Sequence, residues 1–307
     1  MRHRSPISTR DLALILAVVT YWGFAFVPIK LALAEVPPFA LATLRFFFAA
    51  LPAMFFVKRP TMPWRDIVAY GIAIGGFQFG LLFLGIGMGM PAGLSSLVIQ
   101  VQVFFTIGLA VLLSGDRLTR ANIVGGAIAA LGIVELALYK LAGGMTGTLV
   151  GFMLVIAAGF AWAVGNIIGK RAGTDHDADM FALVVWSSIM PALPLALVSY
   201  AFEGGPAAVA SVLHASWKMW GCVFLLSWGA TLFGYGSWAA LLHRYPVALI
   251  SPFALLIPVS GLICGALMLG ESLAPLQMIG ALLVFAGLVI NVYGARWFAA
   301  LRAPPSD

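Results

Sequence analysis

Three amides, Gln78, Gln100 and Gln102, sit in the middle of otherwise apolar stretches, where a hydrogen-bonding group has no bulk water to satisfy it. Such a group must face protein or a water-filled cavity, so all three are candidate contacts for a polar substrate. On a regular helix Gln100 and Gln102 point to nearly opposite sides, so only one of them could reach a common spot. The other would then hydrogen-bond a neighbouring helix. Trp22 and Trp162 are also mid-stretch, away from the interfacial levels where Trp concentrates, and a buried indole N–H needs an acceptor. They either flank a central ligand or pack at a helix crossing. Trp186, Tyr235 and Trp238 enrich the second half in aromatic surface. Tyr235 and Trp238 are three residues apart on one helical face, and the group would suit an apolar or aromatic body held by dispersion and cation–π contact.

Arg45 is the charge that needs explaining, because it lies inside an apolar stretch and a central arginine costs about 2.5–3.5 kcal/mol there. Two readings compete: contact with an anion or carboxylate, and a structural or gating pair with Glu35 or Glu135. The pair is the favoured reading. Asp116 and Glu271 could carry protons, yet both stand at stretch ends beside glycine, where an exposed loop carboxylate is the default. Lys30 and Lys170 read as snorkelling anchors. Enzyme chemistry finds no support: there is no HExxH, no GxSxG with a His partner and no paired mid-stretch aspartates. His3, His176, His214 and His243 fall in loops or at helix ends. No cofactor, metal site or ATP-binding P-loop is implied, and Cys222 and Cys264 read as small packing residues.

The elements that position these side chains are ten apolar segments, at 11–34, 39–57, 66–87, 92–113, 122–139, 148–169, 180–202, 217–242, 248–270 and 275–297. Nearly all match the ~20 residues that cross a ~30 Å hydrocarbon core. With 62% hydrophobic and 9% charged residues, the chain has more apolar surface than any soluble core could absorb. Continuous runs rather than alternating strands of about ten residues point to helices and away from an outer-membrane barrel. The fold expected is an all-α integral membrane protein. Its loops are too short for a soluble catalytic domain, and the first stretch is too long for a removable signal.

A cytoplasmic N-terminus puts Arg2, Arg4, Arg10, Lys58, Arg59, Arg65, Arg117, Arg120, Lys170, Arg171, Arg244, Arg296 and Arg302 on one side, against Lys30, Lys140 and Lys218 on the other. That excess predicts both termini inside. The net charge of +6 then mostly reflects topology and attraction to anionic lipid, and nucleic-acid binding is a poor reading because the charges are scattered singly over loops with no accompanying fold motif.

The ten segments form two similar halves. Gly115-Asp116-Arg117-Leu118 matches Gly270-Glu271-Ser272-Leu273, and the same offset pairs Pro91 with Pro246, Gly125 with Gly280 and Gly132 with Gly287. Near the starts, WGFAFVPIK from Trp22 resembles WAVGNIIGK from Trp162; the extra residues of the second half are expected in the loop 203–216. Five spans per half would invert the second half relative to the first, the arrangement that lets a central site face each side of the membrane in turn. The expected division is a tail at 1–11, repeats at 12–140 and 148–297, and a tail at 298–307.

At this level the chain resembles the drug/metabolite transporter superfamily, specifically its EamA-type ten-helix exporters. The resemblance rests on PVALISPFALLIPVSGLICGALMLGESLAPLQMIGALLVFAGLVI, from Pro246 to Ile290, with a weaker echo at PAGLSSLVIQVQVFF in the first half. It implies export of small metabolites, often amino acids, across the bacterial inner membrane. The expectation is a secondary transporter of small amphipathic metabolites, foremost amino acids, with the lipid bilayer as a partner and no nucleic acid or ATPase subunit implied. The alternatives are a multidrug or other metabolite exporter of the same superfamily and, from another class, a non-transporting scaffold or enzyme. A phosphorylated-substrate antiporter would need paired cationic groups in the cavity, and only Arg45 lies inside a span.

Overall fold

A computed structural model describes residues 7–114, 118–143, 148–245 and 247–300; Asp116 and Pro246 lie outside the described residues. Among the described residues, nine helices are long and apolar enough to cross a membrane. We label the spans α1 (Thr9–Ala32), α2 (Pro38–Phe55), α3 (Trp64–Gly87), α4 (Ala92–Leu113), α5 (Arg120–Leu141), α6 (Leu149–Gly173), α7 (Met180–Phe202), α8 (Trp217–Arg244), α9 (Pro252–Leu269) and α10 (Pro275–Gly294). The least apolar is α8, which meets a short helix, Pro206–Leu213, at 92°. That short helix occupies the stretch where the second half was expected to carry its extra residues.

Several spans are broken where the sequence forces a break. Pro28 has no N–H to give the Phe24 carbonyl, and α1 divides into Thr9–Phe24 and Phe26–Ala32. Pro191 likewise separates Met180–Ser188 from Ala192–Phe202 in α7. Two further irregularities recur at corresponding places in the halves. A π-helical stretch interrupts α3 at Ile72–Gln78 and α8 at Leu225–Phe233, and a 3₁₀ turn occurs at Ile99–Val101 in α4 and at Ser251–Leu255 leading into α9. Such stretches free or redirect backbone groups in the bundle interior.

Inter-helix contacts share this reciprocity. The most extensive packing joins α5 to α10. Its closest approaches are glycine on glycine: a Cβ on Gly125 would sit 2.6 Å from Gly287 O, and one on Gly132 2.6 Å from Gly280 O. Shifting each residue by 155 positions, as from Gly125 to Gly280 and from Gly132 to Gly287, turns the first contact into the second. The contact of α1 with α9 has a counterpart in that of α6 with α4, and α2 packs on its own counterpart α7.

Three carboxylates tie helix starts to distant loops along one edge of the bundle. Glu203 accepts from Phe39 N (2.8 Å) and Ala40 N (3.2 Å) at the start of α2. Glu271 accepts from Ala92 N (2.6 Å) and Gly93 N (2.8 Å) at the start of α4. Glu35 accepts from the backbone N–H and hydroxyl of Ser216, both at 2.7 Å, just before α8. Each satisfies N–H groups that a helix start leaves unpaired. Bonds from the Ser216 hydroxyl and N–H, with Lys218 nearby, hold the Glu35 carboxyl below the usual glutamate range. At the opposite edge, Asp11 binds Arg244 Nη1 (2.8 Å) and Tyr245 Oη (2.8 Å), joining α1 to the end of α8.

Candidate functional site: a central cavity

A cavity of about 270 Å³ lies between the two halves, lined from α1, α2, α3, α4, α6, α8 and α9. At about 30 Å³ per water, it has room for on the order of nine waters, the scale of a small organic ligand. Its polar lining is Arg45, Gln78, Gln100, Gln102 and Asn166; its aromatic lining includes Trp22, Phe79, Trp162, Tyr235 and Trp238. The sequence-derived amides and four of the five singled-out aromatics therefore meet in one place.

Gln78 ends the π-helical stretch of α3. It is 1% exposed and its Oε1 has no hydrogen-bond partner, an acceptor held ready where an unmet one is costly. Gln100 and Gln102 both line the cavity, against the expectation that only one could. The cause is the 3₁₀ turn at Ile99–Val101: three residues per turn leaves positions two apart separated by about 120° rather than about 160°. Gln102 Oε1 accepts from Asn166 Nδ2 (2.7 Å) and from the Thr106 hydroxyl (3.3 Å), so it fastens α4 to α6 while edging the cavity.

The two matched indoles take unequal roles. Trp22 Nε1 donates to Ala230 O (2.9 Å), and Tyr21 Oη donates to Leu225 O (3.0 Å). Both acceptors belong to the π-helical stretch of α8, whose altered register leaves carbonyls available to α1. Trp22 packs against Tyr235 and Trp238, with ring centroids 5.3 Å away in each case. Trp162 lines the cavity from α6, one helical turn before Asn166. Trp186 stands apart: its Nε1 donates to Val57 O (2.9 Å) and its ring meets Trp64 edge-on at 6.0 Å. It anchors the connection between α2 and α3 and does not line the cavity, because α7 turns it towards that loop.

The pairing of Arg45 with Glu35 or Glu135 is not formed. Glu35 is engaged with Ser216, and Glu135 faces Gly280 across the α5–α10 contact with both carboxylate oxygens buried and unpartnered. Arg45, 3% exposed, lies over the Phe79 ring at 3.8 Å from its centroid, with Phe46 at 5.4 Å and Phe83 at 5.9 Å. Its Nη2 makes a long 3.4 Å bond to Thr231 Oγ1, and its Nε is buried without an acceptor. Cation–π contact of this kind contributes about 0.5–2 kcal/mol, which offsets only part of the cost of a central arginine. No Asp or Glu is among the residues lining the cavity, and no group of three metal-ligating side chains occurs among the described residues.

Asn166, Phe79 and Thr231 are site residues that the sequence reading passed over. Asn166 carried a usable signal, a lone amide inside WAVGNIIGK one turn from Trp162. Thr231 did not, since a single threonine in an apolar run commonly bonds its own helix, and its hydroxyl also donates to Leu226 O (3.0 Å).

A bundle of about ten apolar helices around an interior cavity with amide, guanidinium and indole walls defines a membrane transporter fold, and the EamA-like transporter family matches residues 10–138 and 149–293. The chain belongs to that family. It is 41% identical over 297 residues to a probable amino-acid metabolite efflux pump of Escherichia coli (strain K12), covering 96% of this chain and 99% of the relative. A protein of Salmonella typhimurium with the same description is 43% identical over 291 residues, covering 94% and 97%. A probable terminal-alkyne amino-acid exporter of Streptantibioticus cattleyicolor is 28% identical, with 91% of each chain covered. One crystal structure superposes with a TM-score of 0.64 over 96% of this chain and 99% of the other at 19% identity, a likeness of fold.

Proposed function

We propose that this protein is a secondary exporter of amino acids and related amphipathic metabolites, working by alternating access at the cavity between two inverted five-helix repeats. One observation carries the reading: polar and aromatic side chains from both halves converge on a single cavity of small-ligand size. The relatives described as amino-acid metabolite efflux pumps support the substrate class. The placement we propose is the inner membrane with both termini cytoplasmic, on the Lys/Arg asymmetry.

With that orientation the Glu35, Glu203 and Glu271 clamps fall on the outer side. The neighbouring ends of α3 and α4 are packed solid, with Phe83, Ile86, Leu94 and Leu97 at most 1% exposed. Asn166 and Trp238 lie on the inner halves of their spans, and Gln102 at the middle of its own. The arrangement is that of a transporter closed outside and able to load from the cytoplasm. Drive comes from substrate or ion gradients.

The test is counterflow in proteoliposomes preloaded with unlabelled amino acids and challenged with radiolabelled threonine, methionine or phenylalanine, beside Trp162→Ala. Uptake above empty vesicles, reduced up to about tenfold by loss of one aromatic wall, is the expected result. No uptake of any amino acid would remove this substrate class and leave the multidrug or other-metabolite reading.

A further inference from the structure

Resting on the exporter reading, we infer that the cavity selects its ligand by the carboxylate and not by the ammonium group: Arg45 is the anion subsite, and organic carboxylates with an apolar body and a blocked amino group are ligands as well as free amino acids.

Arg45 is a buried cation without a carboxylate partner among the described residues, and it lines the cavity. Among the described residues its Nε lacks any acceptor, and its guanidinium makes a long contact to a neutral hydroxyl. The two carboxylates that could have neutralised it are committed elsewhere or face another interface. The Phe79 ring lies 3.8 Å from the guanidinium carbon, so an aromatic face and not a carboxylate is what the protein sets against this cation. A guanidinium edge matches two carboxylate oxygens with paired N–H donors.

The opposite end of an amino acid finds no matching charge. No Asp or Glu lines this cavity, nor the small adjoining pocket that Arg45 shares with Tyr70 and Tyr235. Gln78 Oε1 is a buried acceptor without a donor, and Gln102 Oε1 is already taken by Asn166 and Thr106. A neutral amide acceptor takes an N–H from an ammonium and from an acylated nitrogen alike. The lining therefore discriminates strongly at the carboxylate and weakly at the nitrogen. A ligand that lacks the carboxylate and keeps the ammonium adds a second cation beside Arg45, which low-dielectric surroundings penalise.

The experiment compares three ligands by isothermal titration of the purified full-length protein in detergent: phenylalanine, N-acetylphenylalanine, which is an anion, and phenylalanine amide, which is a cation. N-acetylphenylalanine is expected to bind within about tenfold of phenylalanine, and the amide at least about tenfold more weakly, the scale of one charge-assisted contact. Arg45→Gln should erase the preference for the anion, and Arg45→Lys should keep part of it; monodisperse elution of either variant shows that it has folded. Because the wild-type comparison needs no substitution, misfolding of both variants would leave the ligand ranking decisive. Equal binding of the two blocked ligands, preference for the amide, or binding of neither overturns the inference. Binding is read without transport, so absence of counterflow in vesicles would remove the exporter reading while the anion preference stood on its own measurement.

Discussion

Among single residues, Arg45 and Glu135 both stand within membrane-spanning helices and have opposite surroundings. Arg45 opens onto a cavity in which an anion could join it. Glu135 is sealed in the α5–α10 contact against Gly280, and neither of its carboxylate oxygens has a partner. A buried carboxylate with no partner costs stability, and replacing it with a neutral isostere removes the ionic part of that cost. Glu135→Gln is expected to raise the thermal stability of the detergent-solubilised protein, by about 1–2 kcal/mol, and to leave counterflow unchanged. A fall in stability would show that the carboxylate has a stabilising role, and loss of transport would place Glu135 in the coupling machinery. The notable residue-level lesson concerns Gln100 and Gln102. Their types marked them from the sequence, but their common orientation depends on a single 3₁₀ turn at Ile99–Val101 that residue spacing on a regular helix does not reveal.

In the helices, irregularity is concentrated where the site is built. The two π-helical stretches at Ile72–Gln78 and Leu225–Phe233 supply Gln78 and the carbonyls that hold Trp22 and Tyr21. By contrast, α5 and α10 contain no break and pack along their glycines as a rigid strut outside the cavity. This makes two glycines of one helix a matched pair for testing. A Cβ on Gly132 would meet the Gly280 carbonyl at 2.6 Å and Val284 N at 2.8 Å, backbone atoms that cannot yield. A Cβ on Gly126 would meet only Phe104 at 3.5 Å, an ordinary contact. Gly132→Ala should therefore cost about 1–3 kcal/mol by overpacking, and Gly126→Ala should be neutral or stabilise by up to about 1 kcal/mol. Thermal unfolding of the two variants side by side measures the difference; equal effects would show that the strut is looser than its glycine contacts indicate.

For the whole molecule, function by alternating access requires the clamps on one edge to release when the cavity opens there. The hold of Glu271 on the start of α4 joins the α9–α10 connection to the other half, so it must break in each cycle. Cysteines at Ala92 and Glu271, in a background without Cys222 and Cys264, should trap the protein when joined by a cleavable thiol cross-linker. Counterflow should fall to the level of empty vesicles and return on reduction, and unimpeded counterflow in the cross-linked protein would show that this edge does not move. The sequence by itself determined the class: apolar run length and helical continuity set the spans. It also marked most of the polar and aromatic part of the cavity wall, because an amide or indole in the middle of a hydrophobic run has few physical excuses. It could not determine which polar groups face one another. Trp186 read as part of the second half's aromatic group with Tyr235 and Trp238 and lies at a loop, whereas Asn166 gave no such expectation and lines the cavity. Arg45 was expected to find Glu35 or Glu135, and those carboxylates are 2.7 Å from Ser216 and against Gly280 instead. Composition and period are properties of one helix at a time. Pairing depends on the rotation of each helix about its axis, which only packing in three dimensions, with its π and 3₁₀ breaks, decides.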